Sequence, residues 1–395
     1  MKIAMVFDGL QIGGVERVGV DYAKILIELG HDVTIFNIVP SLTEMESQFP
    51  IQCKFVYINF PKQICPERYN RITRYKSWGK WIFPPVSLFL TILIKVYKVF
   101  LKRRQMFRES FDLVVAFSGH YNDLTFISEE FINSKHKIAW LHGALYSYIL
   151  ISEGFLNLYK KIKNLVVLTR DCEIEVFSYN PFLNLNVSQM YNPIAFFNKN
   201  FSEDNVQRLK EKYGDYILMV SRMDIPHKRP DTLIDAFEIC WSKYGLKRNL
   251  VFVGDGPDLE SIKEKVRKKN CEIASHIFFE GSKMNIQDYY KSAGILVQSS
   301  SFEGLPSTVI EALQMGLPVV STDCQTGPRE ILGDSQYGLL CKVGDANDMA
   351  DKIYNMLTNK HLLEHYKKVG VQRGKDFYPE VIKRKLVELL ENLNN

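Results

Sequence analysis

Short apolar runs alternate along this chain with segments of helical periodicity. Lys2–Phe7 is an apolar run ending at Asp8-Gly9 and reads as a buried strand. Val15–Leu29 repeats apolar residues at three- and four-residue spacing, and Gly30 closes it as a helix would be closed. Asp32–Ile38 is the next strand. Strand, helix and strand in this order make a βαβ unit, which implies a parallel sheet. Phe111–Phe117, Lys137–Leu141 and Asn164–Leu168 are further short apolar runs, as expected of strands covered on both faces.

Around Asn192-Pro193 the pattern loosens, and residues to about Tyr213 are polar without a strand signal. The alternation then restarts. The expected strands are Tyr216–Ser221, Asn249–Gly254, Ile277–Glu280, Gly294–Ser299 and Pro318–Thr322. Between them lie expected helices Pro230–Lys243, Leu259–Lys269, Ile286–Ser292 and Ser307–Met315. This is a second doubly wound unit. In the tail, Ile382, Leu386, Leu389 and Leu393 share one face of an amphipathic helix. The predicted organisation is an N-terminal domain over 1–195, a second over 196–375, and a terminal helix over 376–395.

A length of 395 residues suits two domains, and 46% hydrophobic with 24% charged residues is ordinary for a globular chain. The seven cysteines are scattered without a CxxC pair, so no disulfide framework is expected and a reducing cytoplasm fits. The N-terminus lacks the h-region and cleavage site of a signal peptide.

A net charge of +5 does not by itself imply nucleic acid, and none is expected as a partner. The distribution of charge is more informative. No acidic residue falls between Glu67 and Glu109, a stretch that holds Arg71, Arg74, Lys76, Lys80, Lys95, Lys98, Lys102, Arg103, Arg104 and Arg108. Within it, Trp81–Ile94 is the longest uncharged run. It is too short to span a bilayer and is broken by Pro84-Pro85, so no transmembrane helix is expected. Val86–Arg104 has helical periodicity, with Ser87, Thr91, Lys95, Lys98 and Lys102 forming a narrow polar stripe. A crossover helix packed on the sheet and an interfacial helix on anionic lipid both fit this pattern. Trp78, Trp81 and Phe83 sit at its start, and 71–108 is the segment expected to meet a membrane.

The stretch 294–322 carries the most chemistry. A strand runs into the loop Ser300-Ser-Phe-Glu-Gly-Leu-Pro, and Ser307 is the expected N-cap of the next helix. In such sheets ligands bind beyond the carboxyl ends of the strands. Free N–H groups at the helix start favour an anion such as diphosphate. Glu303 in the loop and Glu311 one turn into the helix can accept hydrogen bonds from paired hydroxyls, as on ribose or a hexose. Arg222 and Lys228 follow another strand, so both cations fall at its carboxyl end. The sequence has no D-x-D triplet, so fixed cations would stand in for a metal and no metal is expected.

Glu303-Gly-Leu-Pro-Ser-Thr-Val-Ile-Glu311 resembles the E-x7-E signature of retaining family-four glycosyltransferases of the GT-B fold. The resemblance covers nearly the whole chain, strongly over 216–341 and more loosely over 1–195. It implies an α/β fold with two Rossmann-like, doubly wound domains facing each other across a cleft, and a C-terminal helix returning to the N-terminal domain. It implies an acceptor site in the first domain and a nucleotide-sugar site in the second. By it, Glu311 holds the donor ribose, Glu303 lies against the donor sugar, and Arg222 and Lys228 neutralise the diphosphate. Gly304, Leu305, Pro306, Ser307 and Thr308 line the donor with Gly254, and residues near Lys283 read the base. Thr326-Gly-Pro-Arg-Glu330 is a loop found in related bacterial enzymes to which the sequence assigns no physical role.

In the first domain, Gly9-Leu-Gln-Ile-Gly13-Gly14-Val-Glu16-Arg joins the first strand to the first helix, and paired glycines let backbone approach a ligand. The spacing is not G-x-G-x-x-G and the second strand ends at Asn37, which disfavours a dinucleotide. The resemblance makes Gly13 and Gly14 a loop that faces the donor. It also matches His142, in Trp140-Leu-His-Gly, to a family histidine near the reacting sugar. A histidine there either donates to a sugar or phosphate oxygen or is a loop histidine bonded to backbone. Glu16 and His120 are weaker candidates, for acceptor contacts. His361 and His365, four residues apart, read as a solvated helix face and not a metal pair.

The expected activity is retaining transfer of a hexose or N-acetylhexosamine from a nucleotide sugar, taken as UDP-linked. The acceptor is a glycan or lipid-linked molecule of cell-surface polysaccharide, such as capsule or lipopolysaccharide, at the inner face of the cytoplasmic membrane. The alternatives are a sugar-nucleotide epimerase or hydrolase on the same fold, and a catalytically silent partner subunit.

Overall fold

The structure is a computed structural model that describes residues 1–103, 109–196 and 200–394. Arg104 and Arg108 of the basic segment lie outside the described residues. The chain divides into two compact units: Met1–Pro193 with Lys383–Asn395, and Ile194–Ile382.

The first unit holds seven strands: β1 (Lys2–Phe7), β2 (Asp32–Asn37), β3 (Lys54–Tyr57), β4 (Ser110–Ala116), β5 (Asn133–Leu141), β6 (Asn164–Val167) and β7 (Asn186–Gln189). All pairings are parallel in the order β3-β2-β1-β4-β5-β6-β7. The register sets Met5 beside Ile35 on one side and Val115 on the other. Such central residues are apolar because helices cover both faces; Ile3, Ala4, Val6 and Ala116 have no exposed surface. The order reverses between β1 and β4, which makes their carboxyl ends the switch point where a ligand crevice forms.

From Lys383 onward, the tail helix Pro379–Asn394 belongs to this unit. Leu386, Leu389 and Leu390 meet Ile3, Met5, Leu113 and Trp140 around one apolar pocket, and Lys383 pairs with Glu28 at 3.0 Å. Burying three leucines stabilises the fold by roughly 1.5–3 kcal/mol each before ordering costs. A helix of this length is marginal alone, so its docking is what keeps it folded.

The second unit holds β8 (Ile217–Val220), β9 (Leu250–Val253), β10 (Ile277–Phe279), β11 (Ile295–Gln298), β12 (Val319–Thr322) and β13 (Leu339–Cys341), parallel in the order β10-β9-β8-β11-β12-β13. Its switch point lies between β8 and β11. Side-chain caps fix several helix starts. Ser202 accepts from the Asn205 amide, and Asp345 accepts from the amides of Asn347 and Asp348.

Two expectations need correction. Pro84-Pro85 does not break the apolar segment: one helix runs from Gly79 to Arg103 with both prolines inside it. The prolines fall in its second turn, where the donors they lack would have served only the carbonyls of Lys80 and Trp81. By length and composition, residues 79–101 of this helix suffice to cross a membrane. Nor is Ser307 an N-cap. Pro306 holds that position with φ −66° and ψ 107°, and Ser307 is the first helical residue, with no side chain capping the start. A proline's fixed φ suits this extended position, and its carbonyl accepts from Val309 at 3.2 Å.

Candidate active site

In the second unit, the carboxyl ends of β8 and β11 bring the predicted residues together. Beyond β8, Asp224 starts the one-turn helix Ile225–Lys228 and accepts from the His227 amide. That turn aims Lys228 at the loop after β11, where its Nζ lies 2.6 Å from Glu303 Oε1. Ser300 Oγ and Gln298 Nε2 also donate to Oε1, each at 2.6 Å. The pair is largely buried, with 20% of the Lys228 side chain and 7% of the Glu303 side chain exposed. Two further bonds knit the loops: Ser299 Oγ donates to the Lys228 carbonyl at 2.9 Å, and the Ser301 amide donates to the His227 carbonyl at 2.8 Å. His227 stacks on Phe302 with rings 4.1 Å apart. Burial, with the Lys228 charge, holds its pKa below the usual imidazole range.

Arg222 is different in kind. It pairs with Asp224, yet 63% of its side chain is exposed. Lys228 is followed directly by a second basic residue, Arg229. The structure separates them: Arg229 makes a two-pronged contact with Asp231 at 3.1 Å, and Lys228 alone reaches Glu303.

Leu305 and Pro306 lead from this loop into the helix Ser307–Gln314, with Thr308 in its first turn. The uncapped start leaves first-turn amides for an anion. Glu311, one turn in, is buried and accepts from the Tyr290 hydroxyl at 2.9 Å. Thr326 has the role that sequence could not supply. Its hydroxyl donates to the carbonyls of Glu303 and Gly304, and it does so at φ +84°, a costly backbone for a threonine. Lys283 lies on the β10 side, 3.2 Å from Glu280. Burial would raise the Glu280 carboxyl, but hydrogen bonds from Tyr213, Lys212, Tyr289 and Lys283 outweigh it and hold the pKa at about 2.

In the first unit, the switch point between β1 and β4 collects a polar cluster. Asp8 follows β1; its carboxylate lies 3.2 Å from His120 Nδ1 and accepts from Asn122 Nδ2 at 2.7 Å. Asp123 accepts from the amides of Gly119 and His120. Burial lifts Asp123 to about 7, while the Asp8 contact raises His120 above the usual imidazole value. Glu16 is buried beneath the Gly13-Gly14 turn, and burial raises its carboxyl too. A side chain at Gly13 would collide with the Glu16 carboxylate, at 2.3 Å, so the glycine makes room for it. Asp8, Asn122 and Asp123 carried no motif and were not anticipated.

His142 does not join this cluster as a donor. Its Nε2 lies 2.6 Å from the Phe117 carbonyl, and burial lowers its pKa to about 4. A neutral imidazole has one N–H, here donated to backbone, so His142 locks the β4 and β5 ends together. The native state therefore favours neutral His142, while the unfolded chain takes up a proton near 6.5. Its contribution is complete above the unfolded value and is lost as pH falls from about 6.5 toward 4, roughly 3 kcal/mol in all. Urea titrations across this range should show His142→Asn lacking that share of the acid destabilisation. An unchanged slope would deny His142 this buried neutral state.

Residues 200–373 match the family described as glycosyl transferases group 1. The amylovoran biosynthesis glycosyltransferase AmsD of Erwinia amylovora is 25% identical over 394 residues, covering 98% of this chain and 99% of that one. The chain is a glycosyltransferase of the GT-B fold. An uncharacterized glycosyltransferase of Methanocaldococcus jannaschii is 30% identical over 224 residues, about half of each chain. Among solved structures, HepE of Anabaena in complex with UDP-glucose aligns with TM-score 0.72 and 18% identity, over 99% of this chain and all of that one. TarM of S. aureus, in a complex that includes UDP, aligns with TM-score 0.71 and 15% identity over the same shares. At these identities the structural likeness establishes the fold of the transferase, and the site residues rest on the geometry above.

Proposed function

We propose that this transferase moves a hexose or N-acetylhexosamine from a UDP-sugar to a glycan or lipid-linked acceptor, with retention and without a metal. It would act in cell-surface polysaccharide synthesis, at the cytoplasmic face of the membrane. The observation that carries the reading is Lys228 held against Glu303 at the switch point of the second unit, with Arg222 exposed beside it. HepE was solved with UDP-glucose and TarM with UDP, and AmsD is named for amylovoran biosynthesis.

In the ligand-free state Glu303 neutralises Lys228. An arriving diphosphate competes for that cation and draws Lys228 away. Ser300 and Gln298 still hold Oε1, and Oε2 is left to accept from a sugar hydroxyl. Donor binding and the readiness of Glu303 are therefore linked. As the glycosidic bond breaks, charge grows on the departing diphosphate. Lys228, Arg222 and the amides opening helix Ser307–Gln314 would stabilise it. In same-face displacement the acceptor oxygen bonds to the anomeric carbon as the phosphate oxygen leaves and takes the acceptor's proton.

A thermal-shift panel with UDP, GDP and ADP, each with and without EDTA, tests the donor. A ligand at 100 times its Kd stabilises by about 2.7 kcal/mol. UDP should raise the midpoint, and EDTA should leave that rise intact. No shift with any nucleotide would overturn the reading, and a rise that EDTA abolishes would overturn metal independence. Proton NMR of the first-formed glycoside tests retention.

A further inference from the structure

The first unit carries a surface that the transferase chemistry does not use. The helix Gly79–Arg103 docks on the unit along one side only. Ile94 and Leu101 enter the core, Tyr97 donates to the Asn59 carbonyl at 2.9 Å, and Lys98 donates to the Glu129 carbonyl at 2.7 Å. The opposite side is apolar and exposed: Trp81 83%, Leu88 64%, Phe89 59%, Ile92 51%, Val96 62% and Val99 52%. With its inner side held by these contacts, the helix cannot span a bilayer without leaving the fold. It can lie in the interface with its outer side in lipid.

This surface is joined to the switch point by a short chain of contacts. Asn122, which donates to Asp8, lies 3.5 Å from Cys65 Sγ. Cys65 leads into the 3-10 turn Pro66–Tyr69, then Arg71, then the turn Ile72–Tyr75. Arg74 donates to the carbonyls of Ile149 and Leu150, tying this run to a second exposed apolar edge at Leu150 and Ile151. Gly79 packs on the Ile72 carbonyl, so the apolar helix starts directly over this run. Arg68 and Arg71 stand between the polar cluster and the apolar helix. Both are exposed, and neither makes an ion pair among the described residues. No acidic residue follows Glu67 until Glu109, and the Glu67 carboxylate is taken by Asn70 and Asn157.

We propose that Arg68 and Arg71 seat the phosphoryl headgroup of a lipid-linked acceptor whose chain enters an anionic bilayer along the outer side of helix Gly79–Arg103. Guanidinium groups match phosphate oxygens in two-pronged geometry. The order along the surface is the order along such a molecule: lipid chain, phosphate, then the sugar at the Asp8–His120 cluster. The proposal rests on the transferase reading and adds the class of acceptor, a lipid phosphate or diphosphate.

The test is flotation of the full chain with three kinds of vesicle: phosphatidylcholine alone, phosphatidylcholine with phosphatidylglycerol, and the latter with a trace of polyprenyl diphosphate. The protein should partition onto the second kind and not the first. The diphosphate lipid should strengthen partition by roughly tenfold or more. Arg68→Ala with Arg71→Ala should lose that increment and keep the phosphatidylglycerol binding. Trp81→Glu with Ile92→Glu should lose both. All variants should keep the UDP-induced thermal shift, which reads the second unit separately and shows that they fold. Absence of partition, or an increment that survives in the arginine variant, would overturn the proposal. So would a wild-type dimer that Trp81→Glu with Ile92→Glu turns into a monomer, since the apolar surface would then belong to a second copy. Loss of the UDP shift in the wild type would instead defeat the transferase reading.

Discussion

Arg222→Ala should lower kcat by about 10²–10³-fold and leave the unfolding midpoint unchanged, whereas Lys228→Ala should lower both. The two cations sit at the same strand end but in different dielectric surroundings. The Arg222 side chain is 63% exposed and its partner is the neighbouring Asp224 carboxylate, so removing it strips charge from the proposed donor site at little cost to the fold. Lys228 is the counter-ion of a carboxylate that is only 7% exposed. Without it Glu303 keeps the hydrogen bonds from Ser300 and Gln298 but loses its neutralising charge, a loss of roughly 3 kcal/mol or more. Adding Glu303→Gln to Lys228→Ala removes the orphaned charge. The double variant should recover most of the stability and none of the activity. Urea unfolding and steady-state rates on the same four proteins decide the matter. Equal stability losses for the two single variants would mean that Lys228 does not neutralise a buried charge.

The second unit was legible because its signals are local. Glu303, the helix start and Glu311 lie within nine residues, and the strand before them is a run of apolar positions. Lys228 was assigned by its place after a strand, and the structure explains why it and not Arg229 turns inward. The strands that escaped detection are β3, β7 and β13, all of them edges of their sheets. An edge strand buries only part of its surface, and β3 and β7 have no fully buried residue. Their apolar pattern is therefore too weak to stand out. The first-unit cluster escaped for another reason. Asp8, His120 and Asn122 meet across more than a hundred residues, and no spacing announces such contacts. His142 shows the limit of reading a residue type: a histidine at a strand end looks the same whether its N–H meets a ligand or the Phe117 carbonyl. Pro84-Pro85 shows it for backbone, because a proline pair ends a helix interior but costs less in an early turn.

Gly254→Ala should be among the most damaging single substitutions in the second unit, although it adds one methyl group. Gly254 ends β9 at φ +136°, a conformation that an alanine adopts only under strain, and its amide donates to the Gly281 carbonyl at 2.9 Å. A Cβ there would lie 1.9 Å from the Ser221 carbonyl oxygen, which is backbone and cannot swing aside. The β8 and β9 loops would have to separate, and Ser221 leads directly to Arg222. The strain alone costs about 1–3 kcal/mol, and the collision adds to it. Stability and donor affinity should therefore fall together, with the UDP-induced thermal shift reduced or gone. Gly245→Ala is the control. It too has a positive φ, +65°, but nothing lies within 4 Å of its added Cβ. It should cost only about 1 kcal/mol and leave the UDP shift intact. If the two alanine variants unfold at the same urea concentration and bind UDP alike, the close approach of the two loops does not shape the donor site. If they differ as expected, the close packing of Gly254 on the Ser221 carbonyl is what shapes this part of the site.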